Sequence, residues 1–161
     1  MGNRFLLLVI DSEDIPIQAE WNDLSHFTST GSAGTKSLNY FINQYNSYNK
    51  TMLDLKMAQD SLFNISASDS VLSHAGQLIA NQSKETTDFI KHFADTTTSL
   101  PAAIYAASNF LASDETDYLK DFASHLDTRF GASRLSTDFN AEVKSKLEAQ
   151  EAKTNMPQIG S

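Results

Sequence analysis

Asp88 and His92 stand four residues apart, and so do Asp121 and His125. On a helix that spacing places a carboxylate and an imidazole on one face. With Glu85 one turn before Asp88, two facing helices would assemble an oxygen and nitrogen metal site from Glu85, Asp88, His92, Asp121 and His125. The Glu-x-x-His signature of helical di-metal proteins is absent, however. Isolated Asp/His pairs at this spacing usually serve as surface electrostatics. A solvated face is therefore the preferred reading, the metal site is the alternative, and no cofactor is expected.

Other chemical motifs fall short. Gly31-Ser32-Ala33-Gly34-Thr35-Lys36-Ser37 has the texture of a phosphate loop, but Thr35 rather than glycine precedes Lys36 and Thr30 occupies the earlier glycine position. Three histidines follow a serine, at Ser25-His26, Ser73-His74 and Ser124-His125. Adjacent helical residues diverge by roughly 100°, so these pairs do not by themselves set a hydroxyl on an imidazole, and no Gly-x-Ser-x-Gly elbow exists. The glycosylation sequons at Asn49, Asn64 and Asn81 matter only in a secretory pathway. No catalytic set emerges, and the chain is not read as an enzyme.

The 161 residues fit a single domain, 1–161. Zero cysteines exclude disulfides, thiolate zinc sites and a cysteine nucleophile. A net charge of -8 and a pI of about 4.8 argue against nucleic-acid binding, which would need a concentrated basic stripe. Phe5 to Ile10 is too short for a signal-peptide core and far short of the ~20 residues that cross a bilayer. No signal peptide or membrane span is expected, and a cytoplasmic or particle-associated location is favoured. Met1-Gly2-Asn3 lacks the usual Ser or Thr of a myristoylation signal at position six, which is Leu6.

The apolar segment 4–10 reads as a short strand or extended piece, whose edge would need a partner if buried. The best internal candidate is Leu62-Phe63-Asn64-Ile65; the alternative is another chain. A helix is predicted from Ile15-Pro16-Ile17, with Ile17, Trp21, Leu24 and Phe27 on one face. After a polar loop, Leu38, Phe41, Tyr45, Tyr48, Met52, Leu55, Gln59 and Leu62 alternate steps of three and four. This heptad seam would extend ~36 Å and requires equally long cover, either from the chain's own core or from a second molecule. A second seam runs from Leu72 through Gln82 to Phe93, and if it lies antiparallel to the first, Gln59 and Gln82 meet polar groups within it. An alanine-rich helix after Pro101 looks central. A further helix capped near Ser113 closes at Gly131, and a thin stripe of Phe139, Val143 and Leu147 marks a last one.

The expected fold is all-α, a bundle of about five to six helices including one long helix, plus the N-terminal strand or extended segment. Its divisions are a helical core over 15–130, a peripheral helix over 137–153 and a mobile tail over 154–161. The favoured function is a non-enzymatic assembly or interaction protein, a subunit of a larger particle such as a virion or secretion-related complex. It would bind a protein partner or itself through Leu7, Val9, Leu38, Phe41, Tyr45, Tyr48, Met52 and Leu55, as a homo- or hetero-oligomer. The alternatives are a helical bundle holding a metal or small ligand through its Asp/His pairs, and an acidic nucleic-acid mimic that occupies a basic groove.

Overall fold

A computed structural model of the chain describes residues 7–11, 15–20, 23–112 and 114–154. It is a mainly helical bundle, as the periodicity predicts. Two strands, β1 (Ile17–Glu20) and β2 (Asp23–Ser29), precede five helices: α1 (Ala33–Asn64), α2 (Asp69–Thr96), α3 (Leu100–Phe110), α4 (Thr116–Phe130) and α5 (Arg134–Thr154).

The strands correct the first predicted helix. β1 and β2 pair antiparallel, Ile17 with Ser29 and Glu20 with Asp23, with an irregularity between Ala19 and Glu20. The Thr30 N–H extends the pairing by donating to the Pro16 carbonyl. A few apolar residues at three-four spacing fit a short strand nearly as well as a helix, and a run of about a dozen residues does not separate the two. Trp21, placed on that helix face, lies outside the described residues.

Of the apolar segment 4–10, positions 4–6 lie outside the described residues and 7–10 join no ladder among the described residues. Leu62, Phe63 and Asn64, its proposed strand partner, form the last turn of α1. Hydroxyls hold the segment instead. Val9 N–H donates to Thr35 Oγ1 at 3.0 Å, and the Ser32 and Thr35 hydroxyls both reach the Val9 carbonyl at 3.0 Å. One residue thereby has both backbone groups satisfied away from any sheet. Ser32 also caps α1, its Oγ accepting from the Thr35 N–H at 2.9 Å.

α1 runs 32 residues, about 48 Å. It ends in a left-handed cap: Ser66 has φ 53°, its N–H donates to the Phe63 carbonyl, and the Ala67 N–H donates to the Leu62 carbonyl. This pair of bonds is the Schellman pattern that frees a helix to reverse. α2 then returns antiparallel along α1. Phe41 meets Phe93 at 4.7 Å and Phe89 at 5.6 Å between ring centroids, while Tyr48 stacks on Phe89 at 5.1 Å. Gln82 is buried in the seam and donates to the Tyr48 carbonyl at 3.5 Å, whereas Gln59 lies beside Gly76. The two glutamines occupy different levels and do not face each other.

α3 is the centre, as its alanines suggest. Ala102 and Ala106 join Val9, Leu38, Phe41, Ile90 and Phe93 in one core. Ala103 and Ala107 join Leu119, Phe122, Ala123, Leu126, Phe139 and Val143 in a second. Methyl side chains on both faces let helices close in from two sides, and four alanines leave no bulk to keep the cores apart.

Two later boundaries also shift. α4 begins at Thr116, and Ser113 lies outside the described residues. α5 begins at Arg134, not at residue 137, because Ser133 and Ser136 cap it reciprocally: the Ser136 N–H donates to Ser133 Oγ and the Ser133 N–H to Ser136 Oγ. Its stripe is thin but not peripheral, since Phe139 and Val143 are buried and Phe139 meets Phe122 edge-on at 5.8 Å. Of the mobile tail predicted over 154–161, Thr154 is the last residue of α5 and positions 155–161 lie outside the described residues.

Candidate interaction surface

The long seam finds most of its cover inside the chain. Val9, Leu38 and Phe41 are buried, so the expectation that they face a partner is corrected: α2, α3 and the N-terminal segment occupy that space. Leu7 is half-buried against the same core. Tyr45 and Tyr48 are also half-buried and have aromatic neighbours, Tyr45 meeting Phe110 edge-on at 4.4 Å. Met52 and Leu55 continue the seam and remain half-buried.

This gradient has a simple cause. α3 ends at Phe110, whose ring lies against Phe41 and Tyr45. Towards the α1–α2 turn, α1 and α2 pair with each other but meet no third helix among the described residues. From Met52 to Ile79 no side chain is fully buried. Leu53, Met57, Phe63 and Ile65 are 58%, 59%, 58% and 73% exposed, and Val71 and Leu78 are also open. Between Lys56 and Lys84 the only formal charges are Asp60 and Asp69. Depletion of charge around exposed apolar side chains is the compositional mark of an interface core. Covering one such half-open side chain, on the order of 100 Å², is worth about 2.5 kcal/mol, so several together reach the ~4–15 kcal/mol that association costs.

The titratable residues predicted as a metal alternative are not brought together. Asp88 pairs with Lys84 at 2.6 Å on an exposed face of α2, and Glu85 and His92 are exposed on the same helix. His125 Nδ1 lies 2.8 Å from the Asp121 carbonyl and 3.7 Å from its carboxylate, on the exposed side of α4. Among the described residues no group of three histidines or carboxylates could hold a metal ion.

One polar cluster escaped the sequence reading. The Tyr118 hydroxyl donates to Asp95 Oδ1 at 2.9 Å and lies 3.2 Å from the Lys91 carbonyl. Lys91 Nζ sits over the Tyr118 ring and pairs with Glu115 at 2.6 Å. Burial, then the hydrogen bond to Asp95 and its negative charge, push the Tyr118 phenol well above its ordinary range. Nearby, the Arg129 guanidinium donates to the Ala94 and Thr97 carbonyls at 3.0 and 3.2 Å, closing the C-terminal end of α2. These contacts clasp α4 to α2. Their partners lie more than twenty residues apart, so no local spacing announces them.

No helix among the described residues is long and apolar enough to cross a membrane. The chain matches no protein-family model, no curated protein and no solved structure.

Proposed function

We propose that this chain is a non-enzymatic assembly subunit, and that the projecting half of the α1–α2 hairpin is its contact arm. A single observation carries the reading. Over Met52 to Ile79 a two-helix arm leaves large apolar side chains open while its seam stays half-covered. A pair of helices with this composition is half of a bundle, and burial of an apolar face against another element is what stabilises such helices in water. The base of the chain, with its two alanine-centred cores, supplies the fold; the arm supplies surface for a protein partner in a larger particle.

The native size of the chain in its source cells tests this. The expected species is much heavier than one 17.8 kDa chain, and Leu53→Glu/Leu78→Glu shifts it to lower mass without changing the helical signal of the purified variant. A native species of single-chain mass overturns the proposal.

A further inference from the structure

Asn46, Lys50, Leu53, Met57, Asp60 and Asn64 follow one another at steps of four and three along α1. On a helix this is one straight row. It is not the seam that faces α2, because Leu53 is one residue past Met52 and points roughly 100° away from it. All six residues are exposed. Among the described residues neither Lys50 nor Asp60 forms an ion pair, whereas Lys84 and Asp88, Arg134 and Asp138, and Lys146 and Glu142 pair along their own helices.

The order of chemistry in the row is self-complementary. Reversed and laid against itself about the level of Leu55, it sets Leu53 against Met57, Lys50 against Asp60 and Asn46 against Asn64, each contact occurring twice. A two-fold interface demands this reciprocity, in which one residue meets a second and that second meets the first. A parallel alignment would set lysine on lysine and aspartate on aspartate. Asp54 and Lys56 flank the row on its two sides, exposed to solvent.

We infer that α1 pairs antiparallel with α1 of a second copy of this chain, with Leu53 and Met57 at the centre and reciprocal Lys50–Asp60 pairs on either side. The inference rests on the reading of the hairpin as a contact arm and names its partner. The row spans ~27 Å from Asn46 to Asn64. A contact of that length buries roughly 1,000 Å² in total, at the low end for a specific interface.

Sedimentation of the purified full chain from about 1 to 500 μM tests the inference, with thermal melts confirming that each variant folds. The wild type forms a dimer. Lys50→Glu and Asp60→Lys each weaken it at least ten-fold, and the double variant Lys50→Glu/Asp60→Lys returns it to within about three-fold, because the pairs are restored with their signs exchanged. A wild type that stays monomeric overturns the inference, as does a dimer indifferent to the single changes or one that the exchange does not rescue. A monomeric purified chain beside a heavy native particle sinks the second copy alone and leaves the assembly role in place. A native species of one chain's mass removes both.

Discussion

The carboxylate of Asp11 accepts a 2.6 Å hydrogen bond from the Gly34 N–H in the first turn of α1. With the Val9 backbone held by the Ser32 and Thr35 hydroxyls, this bond fastens the N-terminal segment to the helix. The attachment works only because position 34 has no side chain.

A Cβ at Gly34 would stand 2.6 Å from Val9 Cγ1, 2.8 Å from Asp11 Oδ2 and 3.0 Å from Ser99 Oγ. Alanine inside a helix is normally worth up to about 1 kcal/mol over glycine, but overpacking here costs about 1–3 kcal/mol, so the clash wins. Gly34→Ala is expected to lower stability in urea unfolding and to expose the Val9 amide to hydrogen exchange. Val9→Ala removes the nearest obstructing methyl, so in the double variant the losses fall short of their sum. Additive losses would refute the contact.

Acid should loosen the same attachment. The Ser32 hydroxyl and the Gly34 N–H hold the Asp11 carboxyl below its ordinary range. A depressed carboxylate contributes stability above its unfolded pKa of ~3.9 and loses that contribution as pH falls through the folded value. Asp11→Asn is therefore expected to be less stable than wild type at pH 6, with the difference shrinking below pH ~4. Denaturant midpoints across this range measure it, and a gap that stays constant with pH would contradict the assignment.

Tyr118 should act at the opposite end of the scale. Its phenol is pushed up by burial and by Asp95, so the folded state keeps a proton that the unfolded chain releases near pH ~10. The stability it contributes is present below that pH and is lost as the pH rises above it. Ultraviolet titration is expected to show a tyrosine that resists ionisation until the chain unfolds, and Tyr118→Phe to remove that signal and flatten the alkaline loss. A late-ionising signal that persists in Tyr118→Phe, or its absence from the wild type, would overturn this account.

The turn at the tip of the arm offers a gain. Ser66 occupies left-handed backbone at φ 53°, which costs a non-glycine residue about 1–2 kcal/mol, while glycine there adds about 0.5–1 kcal/mol of unfolded-chain entropy. Ser66→Gly is expected to stabilise the hairpin by about 0.5 kcal/mol, read as a higher melting temperature and slower exchange of the Ala67 amide. A lower melting temperature would mean that the Ser66 side chain contributes a contact to the turn.

The amino-acid order alone determined much of the helical plan. Three-four periodicity over Leu38 to Leu62 and over Leu72 to Phe93 is long enough to admit only helices, and Pro101 in the first turn of α3 and Gly131 at the end of α4 marked two of the helix boundaries. Such signals act within a turn or two and are written in neighbouring residues. Between Ile17 and Phe27 the pattern was too brief to separate strand from helix, and pairing of β1 with β2 decided it. Tertiary structure alone decided who covers the seam: α3 stops at Phe110, so Phe41 is sealed while Met52 and Leu55 stay half-buried. It also scattered Asp88, His92, Asp121 and His125 and gathered Lys91, Asp95, Glu115 and Tyr118. Spacing along one helix fixes which residues share a face, but not what that face meets, because the meeting depends on where distant helices end and how closely their small residues let them approach.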